Sequence, residues 1–264
     1  MAGTVRQIDE AAVGNGQIAV QWLGQAGYFL KSHLGKYIVI DPYLSDLCEH
    51  NHGPMFKRLM PAPMTPDDID RLNPAAYLLT HHHDDHLDAV TISALKNTAF
   101  SFFAPPASIR QLESLGIKRD RCEVLTSGCE HDLDFMRIHG TFADHGELAP
   151  DAVGIVVELD GFVIYHMGDT SFHEEQFREL RNRFNIDLLI VPINGKYGNM
   201  NDDEAAEAVA LLCPRMVTPC HYWMLPANSG GDPAFFVEKV SRLAPHTTVM
   251  LMQQGEISLL GKRG

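Results

Sequence analysis

The chain is short of cysteine, of positive charge and of long apolar runs, and each shortage removes a class of protein. Its five cysteines, Cys48, Cys122, Cys129, Cys213 and Cys220, are odd in number, scattered and without a Cys-x-x-Cys pair. A disulfide framework is therefore not expected. Lys and Arg number 21 against 34 Asp and Glu, a formal net charge of −13. That balance repels phosphate backbones, and no basic run overrides it, so a nucleic-acid partner is not expected. No stretch approaches the roughly 20 consecutive apolar residues of a membrane span, so no membrane association is expected either. Residues Met1 to Gly16 lack a charged region followed by an apolar one, which points to a cytoplasmic protein. Repeats, low-complexity tracts and linkers are missing too, and 264 residues suit one α/β domain, 1–264.

What the chain does have is histidine, 14 residues of it, and imidazole is the commonest metal ligand. The pattern around the histidines is one of alternating elements. Ile18–Leu23, Tyr28–Lys31 and Lys36–Ile40 are rich in β-branched and aromatic residues and separated by glycine breaks, which predicts an opening meander. Leu44 to Pro66, with prolines at 54, 61, 63 and 66, reads as a long irregular surface loop. Thr65 with Asp67-Asp68 marks a helix start, and Ala75–Leu79 a strand leading into His81. Helices are predicted over Asp88–Lys96 and Ala107–Leu115, with a strand over Ala99–Ala104 between them and β-rich sequence from Arg121 to Ala143 beyond. Gly154–Leu159 and Phe162–His166 flank Asp160-Gly161, a hairpin turn signal. Helix Glu174–Arg183, strand Leu188–Pro192, helix Asp202–Leu212, strand Met216–Pro219, helix Val237–Leu243 and closing strands Thr248–Met252 and Glu256–Leu260 complete the pattern.

The densest chemical feature is Thr80-His81-His82-His83-Asp84-Asp85-His86. Just past a strand the backbone is still extended, so residues two apart project to one side, and His81 and His83 can chelate one ion. As the chain turns toward a helix, Asp85 and His86 can face a second ion. A surface histidine cluster or a purification-tag-like run is the bland alternative, but tags lie at termini and this run lies between a strand and a helix. Other strand ends carry what such sites need: Asp41 after Tyr37–Ile40, His145 after Ile138–Ala143, Asp169 after Phe162–His166 and His221 after Met216–Pro219. In open α/β architectures ligands gather beyond the carboxyl ends of strands. Each of these residues alone is more often a cap or a packing group. Their joint occurrence is not explained by packing.

The order Asp, His-x-His-x-Asp-His, His, Asp, His resembles the metallo-β-lactamase superfamily over nearly the whole chain. The resemblance implies a four-layer αββα sandwich, two mixed sheets flanked by helices. It implies one metal bound by His81, His83 and His145, a second by Asp85, His86 and His221, and Asp169 bridging both. Asp41 would orient a ligand imidazole from behind. Members that hydrolyse β-lactams often carry Cys in place of Asp169 or His221, so a β-lactamase is disfavoured. Flavodiiron oxidoreductases usually carry Glu in place of His83 and a further flavin domain, and the RNA-processing nucleases a large inserted domain, for which there is no room. Trp22-Leu23-Gly24, Lys31, His166-Met167-Gly168-Asp169 and Pro219-Cys220-His221 are similar to the branch containing L-ascorbate-6-phosphate lactonase, which implies a homo-oligomer.

Two divalent ions about 3.5–4 Å apart would hold a bridging hydroxide as nucleophile and stabilise charge on the substrate oxygen. Asp85 is the candidate to orient that nucleophile and to pass a proton to the leaving group. Imidazole with carboxylate suits zinc, manganese and iron. Zinc follows from affinity and manganese from the lactonase resemblance. Candidate substrate contacts are Arg58, Asn194, Lys196, Tyr197 and Tyr222, with Trp223 beside it, Lys196 suiting a phosphate or carboxylate. The expected activity is hydrolysis of a small anionic lactone such as that of a sugar phosphate. A phosphodiesterase is the runner-up, and a metal-binding or ligand-sensing protein without turnover the reading from another class.

Overall fold

A computed structural model describes residues 8–95, 100–222, 225 and 228–262. Lys96, Ala99 and Trp223 lie outside the described residues. The chain forms two compact units, one running to Thr126 and resuming at Met252, the other from Ser127 to Leu251.

The first unit is built on a seven-stranded sheet. Strands β1 (Gln17–Gly24), β2 (Gly27–Ser32) and β3 (Tyr37–Ile40) form the expected antiparallel meander, with Ile257–Gly261 added along β1. Strands β4 (Ala76–Leu78), β5 (Ser101–Ala104) and β6 (Cys122–Val124) continue it in parallel. Apolar residues on both faces of β2 and β3 are buried, as expected of strands covered on both sides. A core of Leu23, Phe29, Val39, Tyr77, Phe102 and Leu112 forms around them.

Helices of this unit among the described residues include α1 (Leu47–His52), α2 (Pro66–Leu72), α3 (Ala89–Ala94) and α4 (Pro106–Ser114). At the start of α2 the amide and hydroxyl of Thr65 both donate to Asp68 Oδ2, at 2.9 and 2.8 Å. The expectation of an irregular loop from Leu44 to Pro66 is corrected by α1 and by a single 3₁₀ turn at Pro54–Phe56. The reason is long-range. Asp88, fully buried, accepts from the amides of Leu44 and Ser45 and the hydroxyl of Ser45 while capping α3 through Val90 and Thr91. Asp84 takes the amide of Asn51 and the ring of His52 at 2.8 and 2.9 Å.

The second unit repeats the plan. Strands β7 (Glu130–Leu133), β8 (Met136–Phe142), β9 (Val153–Leu159) and β10 (Phe162–His166) are antiparallel, and β11 (Leu188–Pro192), β12 (Met216–Cys220) and β13 (Thr248–Val249) follow in parallel. Asp160 and Gly161 take φ of 53° and 76°, so the β9–β10 hairpin turns as its Asp-Gly sequence dictates. Helices α5 (Glu174–Arg183), α6 (Asp202–Leu212) and α7 (Pro233–Leu243) complete the unit. Helix α7 starts four residues earlier than expected because Asp232 caps it, accepting from Ala234 and Phe235, with Pro233 in the first turn. The strand expected over Thr248–Met252 stops at Val249. Among the described residues no helix is long and apolar enough to cross a membrane.

Candidate metal centre

In the first unit the chemistry collects at the carboxyl ends of β3 and β4. Asp41 leaves β3 at φ 44°, its amide donating to Leu78 O at 3.0 Å. Its carboxylate is fully buried and carries three hydrogen bonds. Thr80 donates its amide to Oδ1 at 2.9 Å and its hydroxyl to Oδ2 at 2.6 Å, and His86 Nδ1 lies 2.7 Å from Oδ2. An ionised carboxylate only accepts, so His86 carries its proton on Nδ1 and presents Nε2 as a lone-pair donor. This is the carboxylate–histidine arrangement that orients metal ligands.

The loop after β4 is short enough to keep its imidazoles and carboxylates together. His86 and Leu87 both donate their amides to His83 O, at 2.9 and 2.7 Å. His81 Nε2 and His83 Nδ1 come within 3.0 Å of each other, and the other nitrogen of His81 is 3.1 Å from the Thr80 hydroxyl. Asp85 Oδ1 is 4.0 Å from His86 Nε2. Two imidazoles therefore converge on one point, and a carboxylate stands beside a third imidazole.

In the second unit three strand ends meet. Asp169 follows β10, His221 follows β12 at φ 60°, and His145 follows β8. All three are buried. Asp169 shares out its oxygens: Oδ1 faces His221 Nε2 at 3.2 Å, and Oδ2 faces His145 Nε2 at 3.7 Å. The segments bearing His145 and Asp169 are clamped together. Asp144 N donates to the Thr170 hydroxyl and Ser171 N to Asp144 O, both at 2.9 Å. The Gly146 amide and the His173 ring at 2.7 Å hold the Asp144 carboxyl below the usual carboxylate range.

Both donor sets fit a divalent cation by their chemistry. Imidazoles and carboxylates, most of them buried, are brought to contact distance, an arrangement that costs desolvation unless a cation compensates it. His81, His83, Asp85 and His86 in one unit and His145, Asp169 and His221 in the other are the described residues placed to hold metal.

The expected substrate contacts fare differently from one another. Arg58 turns back on its own loop, its guanidinium donating to the carbonyls of Tyr43 and Met60 and lying 4.7 Å over the Tyr43 ring. Asn194 is buried, its carbonyl accepting from Gly230 N at 2.7 Å. Lys196 is exposed, and the Tyr197 hydroxyl donates to Asn228 Oδ1 at 2.7 Å. Tyr222 is buried. Sequence reasoning missed Asn199, whose amide donates to Asp169 Oδ2 at 2.7 Å, and Thr80, which was quoted in the motif without a role. It also missed Asp84 and Asp88, which flank Asp85 and His86 and tie them to the segment of α1.

Comparison with known proteins places these donors in a family context. A family model for the β-lactamase superfamily domain matches residues 19–221, a span that holds every donor from Asp41 to His221. A metal-dependent hydrolase of Polynucleobacter asymbioticus is 30% identical over 240 residues, covering 83% of this chain and 79% of its own. One of Caldivirga maquilingensis is 32% identical over 242 residues, covering 90% and 96%. Among solved structures Igni18, a metallo hydrolase of the hyperthermophilic archaeon Ignicoccus hospitalis, matches with a TM-score of 0.74 at 25% identity, covering 94% of this chain and 100% of the other.

Proposed function

The chain belongs to the β-lactamase superfamily, among its metal-dependent hydrolases, and from that premise we propose that it hydrolyses a small anionic ester, preferentially a lactone of the sugar-phosphate kind, with two divalent ions. In this reading His81, His83 and His145 hold one ion, Asp85, His86 and His221 hold the other, and Asp169 is shared. The observation that carries the reading is the buried Asp41 carboxylate receiving His86 Nδ1–H at 2.7 Å. It fixes the tautomer a metal ligand needs, and packing alone gives no reason for it. Zinc and manganese both suit the donors, and iron is compatible with them.

When bound, the ions would supply a water of lowered pKa and a Lewis acid for the substrate oxygen. The protein's own groups do the rest. Asp85, a quarter exposed in its side chain, orients the attacking water and carries its proton toward the leaving group. Asp41 and Thr80 keep His86 from rotating, and Asp144 with Thr170 and Ser171 keeps His145 and Asp169 in register. Lys196, exposed on the loop after β11, supplies the positive charge that an anionic substituent would seek.

Elemental analysis of the purified protein, then turnover on lactone and phosphodiester panels after loading with zinc or manganese, tests the reading. Close to two metals per chain with lactone turnover is the expected result. Phosphodiester turnover alone would move the same machinery to phosphorus. Stoichiometric metal with no turnover on either panel would leave a metal-binding protein, and no metal at all would overturn the reading.

A further inference from the structure

The buried side chain of Asn199 has no place in the machinery above, yet it touches that machinery's most connected residue. It leaves the loop between β11 and α6 to donate its amide to Asp169 Oδ2 at 2.7 Å, and only 6% of it is exposed. Carboxylate chemistry settles which way the amide faces, because Asp169 can only accept and the NH₂ must point at it. The opposite pole, Oδ1, is then buried without a hydrogen-bond partner among the described residues. A buried acceptor left unmade costs about 1–3 kcal/mol. A leucine or an alanine there would avoid that cost and lose only the hydrogen bond to Asp169, so what the asparagine is placed to serve is that carboxylate and not the packing of the loop.

The loop is braced so that this amide cannot drift. Asn199 N donates to Lys196 O at 2.9 Å, Gly195 N to Met200 O at 3.0 Å, and Met200 N to Thr170 O at 3.0 Å, the residue next to Asp169. Asn201 then caps α6, accepting from Glu204 N at 2.9 Å. The carboxylate held in this way is the one whose two oxygens are divided between two imidazoles, Oδ1 to His221 and Oδ2 to His145. Rotation about its terminal bond would exchange or misdirect them, and that torsion is soft in an aspartate.

We propose that Asn199 is a positioning residue for the metal centre, pinning the Asp169 carboxylate so that one oxygen is directed to the His145 side and the other to the His221 side. The proposal rests on the two-ion reading above. It assigns to an uncharged loop residue the task that Asp41 performs for His86, orienting a ligand from behind. It does not depend on which substrate the enzyme takes.

The test is titration of Mn²⁺ and, separately, Zn²⁺ into the metal-stripped full chain, for the wild type, Asn199→Ala and Asn228→Ala. Asn228 takes the Tyr197 hydroxyl and so braces the same loop through a different residue. The expected result is two ions in the wild type, an affinity lower by about 10–100-fold at one or both positions in Asn199→Ala, and wild-type affinity in Asn228→Ala. Thermal melts of the metal-free proteins accompany the titrations. Asn199→Ala removes an unpaired acceptor but also the donor to the buried Asp169 Oδ2, two opposed effects of similar size, so the melts serve to show that the variant is folded, and Asn199→Ser replaces it if it does not fold. Unchanged affinity in Asn199→Ala would overturn the proposal and leave the two-ion reading standing. Equal weakening in Asn228→Ala would overturn it in favour of loop rigidity. A wild type that takes up no metal would bring down the two-ion reading and this proposal together.

Discussion

Replacing Asp41 with asparagine changes one atom in a residue that touches no substrate, and the structure sets what should follow. The carboxylate accepts three hydrogen bonds inside a fully buried site, from the Thr80 amide, the Thr80 hydroxyl and His86 Nδ1. An asparagine must put its NH₂ in place of one of the two oxygens. In place of Oδ1 it faces the Thr80 amide, two donors head to head, at a cost of about 1–3 kcal/mol. In place of Oδ2 it faces His86, whose proton must then move to Nε2, the nitrogen needed for a metal. Either route lowers metal affinity, and loss of such an orienting partner typically costs 10–100-fold, which corresponds to about 1.4–2.7 kcal/mol. The assay is competition with a chromogenic chelator for zinc, run on wild type and Asp41→Asn with melting of both metal-free proteins as the check on folding. An Asp41→Asn protein that melts normally and binds two ions with wild-type affinity would refute the role assigned to Asp41.

Asp169→Ala should abolish hydrolysis and lower metal content while the metal-free protein melts near wild type; full turnover in that variant would contradict a two-ion site. Lys31, nearly buried, donates to the carbonyls of Ile8, Asp9 and Ala11 at 2.8–2.9 Å. Lys31→Met should therefore leave carbonyls unpaired and lower stability by about 1–3 kcal/mol in urea unfolding. The Tyr37 hydroxyl and the Arg71 guanidinium hold the Asp9 carboxyl below its ordinary value. A carboxyl lowered on folding contributes stability that is complete above the ordinary carboxylate pKa and is lost as pH falls through the lowered value. Asp9→Asn should accordingly shrink the difference between urea midpoints at neutral and strongly acidic pH, an effect kept small by the exposure of the pair. At Gly154 a Cβ would lie 2.5 Å from Thr141 Oγ1 and 2.9 Å from the Tyr165 ring. Gly154→Ala should destabilise by about 1–3 kcal/mol through overpacking, measured by the same unfolding.

The division between what the sequence revealed and what it concealed follows the range over which each residue's constraint acts. Helices α5 and α6 and strand β11 can be read to the residue because their signals are local: helical spacing of apolar residues in α5 and α6, an unbroken apolar run in β11, and for α6 an Asn201–Glu204 cap three residues apart. The donors of the first unit were legible for the same reason, since His81, His83, Asp85 and His86 fall within six consecutive positions and their spacing alone implies chelation. Asp41, His145, Asp169 and His221 were legible only as strand ends arranged in a known order, so their roles came by resemblance. Helix α1 reads as loop in the sequence because its anchors are Asp84 and Asp88, more than 30 positions downstream, and prolines on its far side obscure it. Asn199 was invisible on both counts. Its partner Asp169 lies 30 residues upstream, and an asparagine after Tyr-Gly reads as turn chemistry. A group that orients a ligand needs no particular spacing from it, because the fold supplies the proximity. Such groups are therefore the part of a metal centre that sequence patterns underdetermine, and a structure is where they are first seen.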